Sequence, residues 1–187
     1  MATCLFAGSF DPFTVGHASI VRRALPLFDH VIIGVGVNGD KACQRSAMER
    51  VRNISAIYAG NDAVRVMQYG GLTADFAKSV GADCIIKGVR SVKDFEYERE
   101  QADINRMLTG VETLLFFAEP QYATVSSNMV RELQHFGADV SKLICTPENC
   151  HNAAAAPHDS STQAGMSAGG KRQDASAGNG VGKEDGR

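Results

Sequence analysis

The sequence lacks the long apolar runs that membrane-spanning helices require. No stretch of its 187 residues approaches the roughly 20 consecutive apolar positions needed to cross a bilayer. The opening residues, MATCLFAG, also lack the basic start and extended apolar segment of a secretory signal. We therefore expect a cytoplasmic protein that does not bind a membrane.

An excess of charge of one sign is also missing. The 19 Lys and Arg residues nearly balance the 21 Asp and Glu residues, for a formal net charge of -2. Such a chain has no long-range field to attract nucleic acid, so we expect no nucleic-acid partner. A local basic pocket for a phosphorylated small molecule is compatible with this balance.

The five cysteines include no CxxC pair. Cys4 and Cys84 fall inside apolar, strand-like runs, where a reduced thiol in the core is expected. Cys145, Cys150 and His151 lie close together in the sequence, but no fourth residue completes a zinc-type ligand set. We therefore expect no metal held by a dedicated set of protein ligands.

Apolar runs alternate with helical patterns along most of the chain. Strand-like runs occupy residues 3–8, 30–37, 63–69, 84–89 and 112–118. Helical patterns occupy residues 17–28, 46–59, 72–81, 92–108 and 126–137. This alternation predicts an α/β fold with a Rossmann-like doubly wound parallel sheet and helices on both faces. Ligands of such sheets bind beyond the carboxyl ends of the strands, so the chemistry should lie in the loops that follow them.

The composition changes abruptly after His151. Residues 152–187 are dominated by Ala, Gly, Ser and charged residues, with little apolar surface to bury. Burial in such a segment cannot offset the entropy lost on ordering it. We predict a single domain over residues 1–151 and a disordered tail over residues 152–187, with a passive tail favoured over a partner-binding one.

The loop after the first strand has the features of an anion site. It reads GSFDPFTVGH over residues 8–17. Gly16 lets a ligand approach the backbone closely, and His17 falls in the first turn of the following helix. The free N–H groups and the dipole of that helix end favour an anion. A phosphate held there would lie beside His17 and Ser9. The simpler alternative is a turn that carries an incidental histidine.

This ten-residue arrangement resembles the signature of the nucleotidyltransferase superfamily that carries the (T/S)-x-G-H motif. Those enzymes join a phosphate or carboxylate to a nucleotide and release pyrophosphate. Three other stretches are similar to segments of bacterial phosphopantetheine adenylyltransferases. They are IIKGVRSVKDFEYEREQADINRML (85–108), QYATVSSNMVREL (121–133) and PENCH (147–151). The resemblance covers nearly all of residues 3–151 in order.

The resemblance implies an enzyme that moves the adenylyl group of ATP onto 4′-phosphopantetheine, giving dephospho-coenzyme A and pyrophosphate. The attack would be direct and in line, without a covalent enzyme intermediate. Mg²⁺ would bridge the triphosphate oxygens and be held mainly by ATP, since the sequence shows no carboxylate cage. Family members are typically hexamers, which implies a homo-oligomer here.

The resemblance also implies roles for individual residues. The implied catalytic residues are His17, Ser9, Lys41 and Arg90. The residues implied to bind phosphopantetheine are Ser9, Lys41, Leu72, Thr73 and Lys87. The residues implied to bind ATP are Ser9, Phe10, His17, Gly88, Val89, Arg90, Glu98, Tyr122, Ala123, Thr124, Val125, Ser126, Ser127 and Asn128.

Taken without the resemblance, several of these residues have simpler interpretations. Lys41 could be a solvated loop lysine, and Arg90 could be an ion-pair partner of Asp94 one helical turn later. Glu98 could belong to a solvated helix face. Ser126 and its neighbour Ser127 could serve only as helix caps.

The sequence departs from the family pattern at three places. Lys87 replaces an Arg, which keeps the charge but loses bidentate phosphate recognition. Asn128 stands where a third Ser is usual, and residues 43–50 lack the usual aromatic and Leu-rich approach to the second helix. The alternatives left open are a related enzyme acting on nicotinate or nicotinamide mononucleotide, a cytidylyltransferase, and a nucleotide-binding module without catalysis.

Overall fold

The computed structural model describes residues 1–37 and 43–150. Within them five strands alternate with five α-helices. The strands are β1 (Thr3–Gly8), β2 (His30–Val37), β3 (Val64–Gly70), β4 (Cys84–Val89) and β5 (Glu112–Phe117). The helices are α1 (Val15–Ala24), α2 (Ala47–Ile57), α3 (Thr73–Ser79), α4 (Val92–Thr109) and α5 (Ser127–His135). A 3-10 turn over Pro120–Tyr122, which the sequence patterns do not predict, follows β5.

The strands form one parallel sheet in the order β3-β2-β1-β4-β5. The chain starts in the centre of the sheet, moves to one edge through β2 and β3, and then crosses to β4 and β5. The predicted doubly wound α/β fold is therefore confirmed. The switch point lies between β1 and β4, and crevices of this kind are where such sheets bind ligands.

The core lies on both faces of the three central strands. Successive strand residues point to opposite faces. Phe6 of β1 accordingly packs with Val21 and Ile54 on one face, whereas Leu5 packs with Ile32 and Ala77 on the other. Burial on both faces explains why β1, β2 and the first half of β4 are mainly apolar.

Local signals determine several helix ends. Ser46 caps α2, and its hydroxyl accepts a hydrogen bond from the Glu49 N–H (3.2 Å) while the Glu49 carboxylate accepts one from the Ser46 N–H (2.9 Å). This confirms the capping box that the S-x-x-E spacing predicts. Gly81 and Gly137 follow α3 and α5 with φ values of 67° and 76°, which is the left-handed region that glycine tolerates best.

The cysteines fall into two groups. Cys4 and Cys84 are buried and free, as predicted, and Cys43 is also free. Cys145 and Cys150 form a disulfide, which the sequence does not predict, with Cα atoms 5.5 Å apart. That separation lies within the usual range for a disulfide.

Some predictions fall on parts of the chain outside the described residues. They are the role of Lys41, the disordered tail over residues 152–187 and the domain boundary after residue 151. All three stay predictions. In the described part of the chain, no helix combines the length and apolar character needed to cross a membrane.

Candidate active site

The start of α1 fixes the ring of His17. Thr14 caps the helix, and its main-chain N–H donates to Nδ1 of His17 over 3.0 Å. The N–H of His17 in turn donates to Oγ1 of Thr14 over 3.4 Å. An imidazole thus takes the place that a Glu or Gln side chain usually has in a capping box. Because a main-chain N–H can only donate, Nδ1 is the acceptor, and the proton of the neutral ring lies on Nε2.

Aromatic side chains surround the same imidazole. The rings of Phe6, Phe10 and Phe13 lie with their centroids 6.1, 5.1 and 5.4 Å from that of His17. Burial lowers the pKa of His17 from 6.5 to about 4, and the positive charge of Arg90 acts in the same direction. At neutral pH the ring is therefore uncharged and can donate one hydrogen bond from Nε2.

A sharp turn at Phe10 shapes the loop between β1 and α1. Phe10 has a φ of 50°, in the left-handed region that non-glycine residues rarely adopt. Its ring lies directly over Gly8, where a Cβ would come within 2.9 Å of the ring atoms. A side chain at position 8 would therefore have to displace the ring that packs against His17.

The start of α5 meets this loop. The hydroxyl of Ser126 caps α5 by accepting a hydrogen bond from the Met129 N–H (3.0 Å). The hydroxyl of Ser127 donates to the carbonyl of Pro12 over 2.8 Å and so joins α5 to the loop before α1. Ser126 therefore caps a helix, as the sequence alone suggests. It also faces a cavity.

That cavity has a volume of about 290 Å³ and lies beyond the carboxyl ends of β1 and β4. It brings together twelve of the predicted site residues. They are Ser9, Phe10, His17, Lys87, Gly88, Arg90, Glu98, Tyr122, Val125, Ser126, Ser127 and Asn128. The crevice at the switch point is therefore the place where most of the predicted residues meet.

Five predicted site residues within the described part of the chain do not line this cavity. Val89 is buried in β4, with only 2% of its surface exposed. Ala123 and Thr124 lie in the segment between the 3-10 turn and α5. Leu72 and Thr73 lie beyond the end of β3, at the far edge of the sheet, where the Thr73 hydroxyl is 2.8 Å from that of Tyr69.

Two ion pairs lie in the wall of the cavity. The guanidinium of Arg90 contacts Asp94 through two hydrogen bonds, with Nε 2.8 Å from Oδ2 and Nη2 3.3 Å from Oδ1. This confirms the ion pair that the spacing of Arg90 and Asp94 predicts. Nζ of Lys87 lies 3.4 Å from Oε2 of Glu98, a pairing that sequence spacing does not predict. A phosphate entering the cavity would compete with both carboxylates for these cations.

Three charged residues near the site escape sequence reasoning. Glu119 accepts hydrogen bonds from Ser19 and from Nη2 of Arg22 (2.9 Å), which lower its pKa and join the segment after β5 to α1. Arg131 donates to the carbonyl of Asp11, and Arg50 donates to the carbonyl of Ser9. The one signal available is the position of Arg50, four residues before the buried Ile54 and therefore on the apolar face of α2.

Comparisons with known proteins place this α/β fold among the nucleotidyltransferases. The family model described as cytidylyltransferase-like matches residues 5–133. A solved structure of a bifunctional NMN adenylyltransferase/ADP ribose pyrophosphatase from Francisella tularensis superposes with a TM-score of 0.59 and 16% identity. That likeness covers 80% of this chain and 46% of the other, and at this identity it supports the fold alone.

Curated relatives narrow the family. The phosphopantetheine adenylyltransferase of Bacteroides thetaiotaomicron is 48% identical over 144 residues, which are 77% of this chain and 95% of that protein. The protein of the same name from Porphyromonas gingivalis is 49% identical over 140 residues, or 75% and 92% of the two chains. That of Oenococcus oeni is 41% identical over 149 residues, or 80% and 94%. The chain belongs to the phosphopantetheine adenylyltransferase family.

Proposed function

We propose that the chain transfers the adenylyl group of ATP to 4′-phosphopantetheine, giving dephospho-coenzyme A and pyrophosphate. The observation that carries this proposal is the convergence of His17, Ser126 and Arg90 on one cavity at the switch point of the sheet. The names of the curated relatives support the choice of acceptor. We place the reaction in the cytoplasm, where ATP is supplied, and the near-neutral charge favours small-molecule substrates over nucleic acid or membrane.

In the proposed reaction, a phosphate oxygen of phosphopantetheine attacks the α-phosphorus of ATP. A bond forms between that oxygen and the α-phosphorus, while the bond from the α-phosphorus to the bridging oxygen on the β side breaks. Pyrophosphate leaves with the electron pair. The attacking phosphate is already an anion, so no general base is required. Catalysis then depends on positioning, which supplies up to ~7–11 kcal/mol, and on fixed hydrogen-bond donors.

His17 is the proposed donor to the α-phosphate. Its neutral ring carries a proton on Nε2, because Nδ1 accepts the hydrogen bond from the Thr14 N–H. We assign Nε2–H to a non-bridging oxygen of the α-phosphate, where negative charge grows in the transition state. The donor is already oriented by the helix cap, so the step requires no reorganisation of the ring.

Two groups of residues are proposed to hold the remaining phosphates. Arg90 and the start of α5, with Ser126, Ser127 and Asn128, would hold the β- and γ-phosphates. The phosphate of phosphopantetheine would lie against Ser9, Lys41 and Lys87. The assignments of Lys41, Leu72 and Thr73 to the acceptor rest on family resemblance. The nucleoside would contact Phe10, Gly88, Val89, Glu98 and residues 122–125.

We assign the Mg²⁺ of the reaction to the substrate ATP. Asp94 and Glu98 line the cavity, but both are engaged in ion pairs with Arg90 and Lys87. Among residues 1–37 and 43–150, no group of three or more His, Cys, Asp or Glu residues could hold a metal ion. The described residues therefore do not fit a Mg²⁺ site built by the protein. We propose that Mg²⁺ enters as part of Mg–ATP and assign it no ligand on this chain.

We also propose that the chain assembles as a homohexamer, as the family does. The helix α4, which lies wholly within the described residues, has 18 residues and none of them buried. Val92 and Met107 on this helix are 75% and 85% exposed, and Phe117 at the end of the edge strand β5 is 70% exposed. These exposed apolar side chains support a contact with another copy of the chain. Light scattering should give six times the chain mass of 19.9 kDa, and a monomer would contradict this proposal.

The test of the proposed reaction is pyrophosphate release by the purified protein. ATP and Mg²⁺ are supplied with 4′-phosphopantetheine, nicotinamide mononucleotide or nicotinate mononucleotide, and in a further arm CTP replaces ATP. We expect turnover only in the arm that combines ATP with phosphopantetheine. Preference for another acceptor or for CTP would favour a related transferase. Tight binding of ATP without turnover on any acceptor would indicate a binding module.

A further inference from the structure

Side chains from two other helices hold the carbonyls of the loop between β1 and α1. Arg50 of α2 donates to the carbonyl of Ser9, and Arg131 of α5 donates to that of Asp11. Ser127 of α5 donates to that of Pro12 over 2.8 Å. Between these held carbonyls lies Phe10, whose φ of 50° puts its backbone in the left-handed region that non-glycine residues rarely adopt. The surroundings must therefore enforce the shape of this loop.

Arg50 is the most unusual of these contacts, because only 4% of its surface is exposed. Its guanidinium donates from Nη1 to the carbonyls of Ser9 and Gly36, the latter over 3.2 Å. Its Nε donates to the carbonyl of Arg45, also over 3.2 Å. Arg50 thus joins the ends of β1 and β2 to the segment that precedes α2.

An arginine at this buried position is costly to the fold. Among the described residues, no carboxylate comes within ion-pair distance of Arg50, and its hydrogen bonds go to main-chain carbonyls. A buried charge of this kind is costly to desolvate, and an apolar side chain of similar volume often stabilises a fold as well or better. The apolar face of α2, which continues at Ile54, would accommodate such a side chain.

We propose that Arg50 is a positioning residue for the transfer reaction. By holding the carbonyl of Ser9, it sets the direction in which Ser9 and Phe10 enter the cavity. Phe10 in turn packs edge-on against the ring of His17, at an interplanar angle of 86°. Arg50 itself does not line that cavity, so it acts on the reacting groups through the loop. This inference rests on the proposed adenylyl transfer.

The test compares Arg50→Met and Arg50→Lys with Arg52→Met as a matched control. Arg52 lies on the same helix but is exposed. We expect Arg50→Met to lower kcat at least roughly ten-fold, because small displacements of reacting groups can cost up to about 100-fold. Arg50→Lys should recover part of the loss, since it keeps a buried cationic donor without the forked geometry. Arg52→Met should stay within about two-fold of the parent.

Thermal unfolding, monitored by circular dichroism, gives the Tm of each variant. Each variant is then assayed well below its own Tm. If Arg50 only stabilised the fold, its replacement would lower Tm and leave kcat and KM of the folded protein unchanged. That outcome for Arg50→Met would overturn the inference. If Arg50→Met does not fold, Arg50→Lys decides the question. We then expect at least roughly a three-fold loss of kcat, and an unchanged kcat would overturn the inference.

The experiment also separates this inference from the proposed function. If the parent protein releases no pyrophosphate with phosphopantetheine, the proposed function fails. Arg50 is then judged by the affinity of the folded variants for Mg–ATP, measured by calorimetry. We expect Arg50→Met to weaken that affinity roughly ten-fold, because Ser9 and Phe10 no longer hold their positions. Equal affinities for parent and variant would overturn the role of Arg50.

Discussion

The main-chain N–H of Thr14 lies 3.0 Å from Nδ1 of His17 and donates a hydrogen bond to it. The bond completes the cap of α1 and selects the Nε2–H form of the imidazole, which is the form that the proposed reaction requires. It also gives the threonine of the T-x-G-H motif a structural role. The threonine of the T-x-G-H sequence orients the histidine that follows it by three positions.

The charge state of His17 can be measured directly. Because burial and Arg90 lower its pKa to about 4, we expect its imidazole signals in an NMR titration to stay unchanged until the pH falls well below 6.5. Long-range ¹H–¹⁵N correlations should show the proton on Nε2 at neutral pH. Titration of His17 near 6.5, or a proton on Nδ1, would contradict the role proposed for the ring.

The same lowered pKa links stability to pH. The folded pKa of about 4 lies below the ordinary value of 6.5, so the contribution of His17 to stability is present above pH 6.5 and is lost as the pH falls through 4. Between pH 7 and pH 5, the parent should lose about 2 kcal/mol more unfolding free energy than His17→Asn, which cannot titrate. Urea unfolding of both proteins at the two pH values checks this. Equal losses would show that burial does not lower the pKa of His17.

The contact between Gly8 and Phe10 predicts a position-specific effect of alanine. A Cβ at Gly8 would come within 2.9 Å of the Phe10 ring, whereas a Cβ at Gly70 would meet no atom within 4 Å. We expect Gly8→Ala to lower the unfolding free energy by about 1–3 kcal/mol through overpacking. The control Gly70→Ala should stay within about 0.5 kcal/mol of the parent. Denaturant unfolding measures both, and similar values for the two variants would contradict the packing described for Phe10.

The cysteine pairing predicts a simple thiol count. Cys4, Cys43 and Cys84 are free, and Cys145 is joined to Cys150. The pair lies beside the loop between β1 and α1, since the Cys145 N–H donates to the carbonyl of Phe13 over 3.0 Å. Titration of the denatured, unreduced protein with a thiol reagent should find three thiols, and five after reduction. Five thiols before reduction would show that the pair is not oxidised in the purified protein.

Much of the fold can be predicted because its signals are local. The strands β1 and β2 and the first half of β4 are buried on both faces, so each appears as a mainly apolar run. The S-x-x-E sequence that begins at Ser46 marks the start of α2 through hydrogen bonds between near neighbours. The sequence also predicts a site in the loop after β1 and, by resemblance, the family to which the comparisons assign the chain. The roles of individual site residues stay predictions.

The contacts that escaped sequence reasoning join distant residues. Arg50 meets Ser9 across 41 positions, and Arg131 meets Asp11 across 120. No periodicity encodes such pairs, because each depends on how two helices pack against the same loop. The pairing of Lys87 with Glu98 likewise depends on how α4 leaves β4. The family resemblance supplies roles for both residues, but not the fact that they meet.

The variant His17→Ala tests whether His17 donates to the α-phosphate in the transition state. The control is His135→Ala, since His135 is exposed at the end of α5. With ATP, Mg²⁺ and 4′-phosphopantetheine, we expect kcat to fall by ~100-fold or more in His17→Ala and to be unchanged in the control. A folded His17→Ala variant that turns over at the rate of the parent would contradict the account.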